Sequence, residues 1–272
     1  FADGLVRVVL RGADVFFVVT AVFVFARLLT GRRPSPGYLA AGLASSAALF
    51  FCGTRSNWAG FAAGVLAVSL ASFRFPRTRL RMWAGAALAG AVAVVVLVSC
   101  DPVQRLSVSL LRASERRAWT MDFRRFETEG VLATIAQAGG LGNGMGSTYD
   151  YWDVEQQQVV RSLWNHNGYL QLVMKTGLVG LFAFLFVVYR AGRAALTRIK
   201  AADPWRDRLL GLHGATVAVL VLSVTVNKIF ELSGAMFLGF AFAVAQAAGV
   251  SGWARTGPEA PCVVPRSDQA PA

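Results

Sequence analysis

Residues 168–189 read GYLQLVMKTGLVGLFAFLFVVY, and Lys175 is the only charged side chain in this run. A helix of about 20 predominantly apolar residues crosses the core of a bilayer, so the run predicts a membrane-spanning helix. The composition of the whole chain agrees, because 55% of its 272 residues are hydrophobic and only 15% are charged. Such a composition excludes an ordinary soluble domain.

Six further stretches have the same character, although two of them are somewhat short. They lie around 12–29, 38–53, 57–73, 82–100, 209–227 and 232–250. Only the turn Gly53-Thr54-Arg55-Ser56 separates the second from the third, which predicts a hairpin. We therefore expect an all-α polytopic membrane protein with about seven transmembrane helices and an external loop region that contains an amphipathic helix.

Basic residues set the orientation of these spans, since Lys and Arg accumulate on cytoplasmic loops. They cluster at Arg32 and Arg33; at Arg74, Arg77, Arg79 and Arg81; at Arg190, Arg193, Arg198, Lys200, Arg206 and Arg208; and at Arg255 and Arg266. Even numbers of spans separate the four clusters, so all of them are expected in the cytoplasm. The net charge of +12 then follows from topology, and no nucleic-acid partner is expected.

This orientation divides the chain into four parts. Residues 1–100 form a membrane domain of four helices, 101–167 an external region, 168–250 a membrane domain of three helices, and 251–272 a proline-rich, disordered cytoplasmic tail. Residue 1 falls outside, so a cytoplasmic N-terminus would require an odd number of spans upstream. We expect that the chain lacks an N-terminal segment.

Cysteine and histidine are scarce. Three widely spaced cysteines and two histidines give neither a disulfide framework nor an ordinary metal-binding cluster. We expect no metal and no other cofactor.

The external region contains a helical pattern. Trp119, Phe123 and Phe126 recur at i, i+4 and i+7, which is typical of an amphipathic helix at a membrane surface. We expect this helix to continue through Ile135 and to end at Gly139-Gly140. The run GLGNGMG follows at 140–146. It is either a structural turn or a nest of backbone N–H groups near a diphosphate or an acceptor.

His166 lies where the external region meets the helix predicted over 168–189, within WNHNGYLQ at 164–171. A histidine at this boundary is either an interfacial anchor or an active-site base. Gly177 follows eleven residues later, about three helical turns, and Gly180 continues the same face. Small residues permit close helix packing, so we expect another helix along this stripe and His166 facing protein.

These spacings resemble those of O-antigen ligases and the related polysaccharide polymerases. The family motif has His, then Asn, Ser or Gln, nine residues, and Gly-x-x-Gly/Thr/Val, and His166-Asn167 with Gly177 and Gly180 meets every fixed position. Leu141-Gly142-Asn143-Gly144 is similar to the family's Leu-Gly-x-Gly loop. Thr54-Arg55-Ser56-Asn57-Trp58 is similar to its Ser/Thr-Arg-Gly-x-Trp turn, with Ser56 in place of Gly. The resemblance covers most of residues 40–250.

One family pattern is met only in part. Members often have Ser-x-Arg-x-x-x-Trp at the start of the external helix, whereas Ser114-Glu115-Arg116-Arg117-Ala118-Trp119 is one residue shorter. Either Arg116 or Arg117 can therefore correspond to the family's arginine.

The resemblance implies a metal-independent, lipid-carrier-dependent glycosyltransferase of the bacterial inner membrane, with its active site on the periplasmic face. Such an enzyme moves a glycan from an undecaprenyl-diphosphate donor to a lipid A-core or growing glycan acceptor. His166 is the candidate base, and Arg55 with Arg116 or Arg117 are the candidate diphosphate ligands, because guanidinium offers paired donors that match phosphate oxygens. The alternatives are a snorkelling Arg55 and a solvated helix face for Arg116 and Arg117.

Other functional classes stay open. A transporter or channel without catalytic activity would bury charges near the middle of its spans, where this chain has few besides Lys175. An intramembrane serine protease fits poorly, because Ser147 lies in the external region. We interpret His213 as structural, and Lys228 with Glu231 as an ion pair.

Overall fold

The structure is a computed structural model, and it describes residues 14–30, 34–52, 55–72, 122–154, 156–200 and 206–251. Helices dominate this part of the chain, and two short strands accompany them. In chain order the elements are α1 Asp14–Thr30, α2 Pro36–Cys52, α3 Arg55–Ser72, α4 122–137, β1 Tyr149–Asp153, β2 Gln158–Ser162, α5 Gly168–Lys200, α6 Arg206–Leu222 and α7 Leu232–Ser251.

Six of the seven apolar stretches coincide with helices. The stretch at 82–100, the pair Arg116-Arg117 and the tail from 252 onward lie outside the described residues. Within the described residues, α5 is the one helix long and apolar enough to cross a membrane, over Gly168–Ile199. The seven-span arrangement stays a prediction.

The expectation of an all-α fold is wrong in the external region, where β1 and β2 form an antiparallel hairpin. Tyr149 pairs with Ser162, and Asp153 pairs with Gln158. Tyrosine, tryptophan and valine favour strands, and Gln157 takes a positive φ of 52° in the turn. Tyr149 and Asp153 are buried on one face of the hairpin, so the hairpin covers other elements.

The longer helices pack around α6, which contacts both α1 and α3. α2 packs on α1, and α5 packs on α6 and α7. The core contains Val18, Val22 and Leu210, all fully buried. At the crossing of α3 and α6, a Cβ on Gly214 would meet the Val68 side chain and lie 2.9 Å from the Gly64 carbonyl oxygen. Glycine at this position therefore allows the two backbones to approach closely.

Two ends of this bundle can be told apart from its polar contacts. At one end, Asp14 at the start of α1 accepts from Lys228 Nζ at 3.0 Å, and the N–H of Gly168 donates to the Ser223 carbonyl at 2.8 Å. We call this the His166 end. At the other, the Arg27 end, Arg27 Nη1 lies 2.6 Å from Asp207 Oδ2.

α5 continues past residue 189, where the apolar run ends. Ala191, Ala195 and Ile199 recur every fourth residue and are buried, which is the period of one helix face. The basic cluster at 190–208 therefore lies toward the Arg27 end, opposite His166.

α4 ends as predicted, because Gly139 and Gly140 take φ values of 58° and 76°. The Gly140 N–H donates to the Ile135 carbonyl at 3.2 Å and closes the helix. Its expected position at the membrane surface stays a prediction, and Trp119 lies outside the described residues. Val131 packs with Tyr149 of β1 and Met174 of α5, so protein covers the face of α4 on which Val131 lies.

Candidate active site

His166 lies in the segment between β2 and α5, two residues before the helix begins. It is therefore not on the same helix as Gly177 and Gly180, and the expectation of a shared helix face is wrong. The helix cannot start earlier because the chain is held in another conformation by its side chains. Asn165 Oδ1 accepts from the Asn167 N–H at 2.5 Å, and Gln171 Oε1 accepts from the Asn165 N–H at 2.5 Å.

Asn167 is the N-cap of α5. Its Oδ1 accepts from the N–H groups of Tyr169 at 3.0 Å and Leu170 at 3.1 Å, which satisfies donors that the first helical turn leaves without partners. The residue that follows His166 in the motif thus sets where the helix begins.

The main partner of His166 is Glu127 of α4, which is only 3% exposed. His166 Nδ1 lies 2.9 Å from Oε2 and 3.0 Å from Oε1 of this carboxylate. The backbone N–H of His166 also donates to Oε1, at 3.3 Å. A buried carboxylate therefore holds both the ring and the backbone of this histidine.

Tyr149 of β1 supports Glu127 from the side of the hairpin. Its hydroxyl lies 2.9 Å from Glu127 Oε1 and 2.7 Å from the Trp164 carbonyl oxygen, and it can donate its proton to either. Burial, and then the nearby Glu127 charge, raise the pKa of the Tyr149 hydroxyl well above its usual range. The hydroxyl therefore stays protonated and remains a donor.

The rest of the His166 ring is open on one side. The Phe123 ring packs against it edge to face, with centroids 5.8 Å apart. The His166 side chain is 46% exposed, and Nε2 makes no hydrogen bond with any described residue. An imidazole held by Nδ1 with an accessible Nε2 can accept a proton from a bound hydroxyl group.

The glycine run at 140–146 forms hydrogen bonds with α5 about two helical turns after this helix begins. Gly177 breaks α5 with φ 73° and ψ −177°, a conformation that is essentially restricted to glycine. The break leaves some N–H and C=O groups of α5 without partners inside the helix, and the glycine run supplies these partners. The N–H groups of Asn143 and Gly144 donate to the carbonyls of Met174 and Lys175 at 2.8 and 3.0 Å, and the Leu178 N–H donates to the Gly140 carbonyl at 2.9 Å.

Of the two readings of the glycine run, these contacts favour the structural turn. Gly142 takes φ 90°, and a Cβ there would meet the backbone N of Gly177. A Cβ on Gly177 would lie 2.5 Å from the carbonyl oxygen of Leu141. Gly144 also takes a positive φ, 85°, which agrees with the predicted glycine loop.

The expected helix along the Gly177–Gly180 stripe stays a prediction, because residues 73–121 lie outside the described residues, but a loop is found at Gly177 itself. The loop at 140–142 packs against Gly177, and a Cβ on Gly180 would meet the Thr176 side chain of its own helix. Both glycines make room for the break in α5.

Arg55 is the first residue of α3, which begins at the His166 end. A Cβ on Gly60 would meet the Leu222 side chain, and the next residue, Ser223, accepts from Gly168. Trp58 Nε1 donates to the Leu49 carbonyl at 2.9 Å and holds α3 to α2. Arg55 and His166 are therefore at the same end of the bundle.

Lys228 and Glu231 form the predicted ion pair, with Nζ and Oε2 2.6 Å apart. Lys228 is 2% exposed, and its second partner is Asp14 of α1. The described residues contain no group of three His, Cys, Asp or Glu side chains that could bind a metal.

Glu127 was not among the site residues predicted from the sequence. It lies four residues after Phe123 and four before Val131, so it falls on the apolar stripe of α4. A carboxylate in an apolar stripe requires a hydrogen-bonding partner, and this requirement could have identified Glu127 from the sequence.

A family model described as O-Antigen ligase matches residues 39–185 of the chain. The match covers more than half of the sequence. It includes Arg55, Glu127 and His166, and also the glycines of both motifs, Gly142, Gly144, Gly177 and Gly180. The chain belongs to the O-antigen ligase family. A search of curated proteins found no match. The O-antigen ligase family is a family of membrane proteins, and membership indicates an enzyme of the glycosyltransferase type.

Proposed function

We propose that this protein transfers a glycan from an undecaprenyl-diphosphate donor to an acceptor hydroxyl, as an O-antigen ligase or a surface polysaccharide polymerase. The acceptor is a lipid A-core in the first case and a growing glycan in the second. Family membership supports the reaction class. The observation that carries the proposal is the geometry of His166, whose Nδ1 is held by Glu127 and whose side chain is 46% exposed.

His166 is the proposed base. A sugar hydroxyl is a poor nucleophile, and a positioned base that takes its proton in the transition state accelerates transfer by about 10² to 10⁴-fold. Nε2 would take this proton as the acceptor oxygen attacks the anomeric carbon of the donor.

The proposed diphosphate ligands are Arg55 and either Arg116 or Arg117. Negative charge gathers on the leaving diphosphate as its bond to the anomeric carbon breaks, and fixed cations stabilise that charge selectively. The start of α3 at the His166 end supports this role for Arg55. Diphosphate is already a good leaving group, so the proposed reaction calls for no general acid and no metal.

We propose that the His166 end faces the periplasm in a multi-pass protein of the bacterial inner membrane. The basic cluster at 190–208 lies toward the opposite end, which is the cytoplasmic side by the distribution of Lys and Arg. On this proposal, transfer takes place on the periplasmic face of the membrane.

Replacement of His166 by glutamine tests the proposal. His166→Gln should lower the transfer rate by about 10² to 10⁴-fold, or roughly 3 to 5 kcal/mol of barrier, while the protein still folds and binds the donor. The measurement is transfer in proteoliposomes, with lipid-linked glycan extracted from a strain that lacks the gene. His213→Gln, on α6, is the matched control and should keep the wild-type rate.

A His166→Gln protein that folds, binds the donor and transfers glycan at the wild-type rate would remove His166 from the mechanism.

A further inference from the structure

We infer that Glu127 is a positioning residue that fixes the tautomer of His166. The inference rests on the proposed function, since the tautomer matters for transfer only if His166 is the base. Glu127 itself does not contact the reacting atoms, because its carboxylate lies behind the ring on the Nδ1 side.

The geometry requires one tautomer when the ring is neutral. An ionised carboxylate can only accept hydrogen bonds, and both of its oxygens lie within 3.0 Å of Nδ1. The ring proton must therefore be on Nδ1. Nε2 then carries the lone pair, and on this half-exposed side chain it is the atom that we assign to the acceptor hydroxyl.

Two further donors hold the carboxylate in place. The His166 N–H and the Tyr149 hydroxyl both lie within hydrogen-bond distance of Oε1. The titratable groups that face the ring or its partner are Glu127 from α4 and Tyr149 from β1, within the part of the chain that the structure describes. When the ring takes up the proton of the acceptor, the adjacent carboxylate stabilises the cation that forms.

Glu127→Gln should invert the tautomer without changing the shape of the side chain. The backbone N–H of His166 can only donate, so the amide oxygen should take the place of Oε1. The amide NH₂ then takes the place of Oε2, 2.9 Å from Nδ1 in the wild-type structure. The NH₂ takes the shorter of the two contacts with Nδ1, 2.9 Å against 3.0 Å, so we expect Nδ1 to accept, the ring proton to move to Nε2, and the base to be lost.

Nitrogen-15 NMR of the histidine-labelled protein in lipid bilayers measures this directly. The chain has only two histidines, and His166→Gln assigns the signals. We expect His166 to be protonated on Nδ1 in the wild type and on Nε2 in Glu127→Gln, with His213 unchanged. The wild-type spectrum is decisive even if the variant does not accumulate, because a neutral His166 protonated on Nε2 would overturn the inference.

Kinetics provide the second measurement. Glu127→Gln should lower kcat by about 10²-fold or more, as expected when a base has the wrong tautomer, with KM for the extracted lipid-linked glycan nearly unchanged. Glu129→Gln is the matched control, since Glu129 lies on the same helix and pairs with Arg125 at the surface. It should behave as wild type in both measurements.

The two hypotheses fail in different ways. A Glu127→Gln protein with an Nδ1-protonated His166 and a wild-type kcat would overturn the role of Glu127. An inverted tautomer with an unchanged kcat would confirm that Glu127 sets the tautomer and would instead overturn His166 as the base.

Discussion

Each end of the helical bundle holds a buried carboxylate that faces a basic side chain, and the two pairs differ in what the base can do. Asp207 is 4% exposed and meets Arg27 at the Arg27 end. Glu127 is 3% exposed and meets His166 at the His166 end. Arginine keeps its proton at every physiological pH, so the first pair can only hold α1 and α6 together. An imidazole can accept a proton from a bound hydroxyl group and release it again, so the second pair can take part in catalysis.

The backbone differs in the same way between the two ends. Toward the Arg27 end α5 is a regular helix up to Lys200. Toward the His166 end it is broken at Gly177, and a glycine loop supplies the missing hydrogen bonds. The His166 end is therefore built from polar contacts and an unusual backbone conformation, whereas the Arg27 end is built from regular helices.

The largest expected difference between the ends concerns two arginines. Arg55→Lys should lower transfer by about 10²-fold although it keeps the charge, because an ammonium cannot reproduce paired planar donors on a diphosphate. Arg27→Lys at the opposite end is the matched control and should transfer at nearly the wild-type rate. The transfer rates of the two variants, measured in the same proteoliposome assay, test whether Arg55 binds the diphosphate.

An Arg55→Ala protein that binds donor and turns over like the wild type would show that Arg55 is not a diphosphate ligand. Arg116→Ala and Arg117→Ala should differ from each other, and the harmless one identifies the solvated arginine.

The second prediction concerns the break in α5. Gly177→Ala should destabilise the protein by about 1 to 3 kcal/mol. Alanine is strained in this backbone conformation, and its Cβ would clash with the Leu141 carbonyl. Gly192→Ala, on the regular part of the same helix, meets nothing within 4 Å and should not destabilise. Thermal unfolding in detergent compares the two variants. Equal unfolding temperatures would mean that the break is not a feature of the folded protein in solution.

Hydropathy predicted the helices well, since a long apolar run leaves the backbone few alternatives to a helix. The end of α4 was also predictable, because Gly139-Gly140 is a local signal. The contact between Glu127 and His166 was not, since 39 residues separate the partners and only the folded hairpin brings them together. Gly177 was misread because a glycine in an apolar run can mean either a close helix contact or a break, and sequence periodicity does not distinguish the two.

The smallest expected effect is that of Asp207→Asn, which replaces the carboxylate of the structural pair by a neutral amide. Arg27 keeps its charge without its partner, but its side chain is 29% exposed, so water can solvate part of that charge. We expect a loss of about 1 to 2 kcal/mol of stability, below the cost of breaking a fully buried pair. The pair lies at the end opposite His166, so kcat of the folded protein should not change. Glu127→Gln should do the reverse and lower kcat with little change in unfolding temperature, because the amide can still accept from the His166 N–H and donate to Nδ1, whereas Arg27 can accept no hydrogen bond. Both quantities can be measured on both variants in one preparation. If Asp207→Asn lowered kcat as much as Glu127→Gln does, the two ends would be coupled, and a buried carboxylate at either end would serve the same purpose.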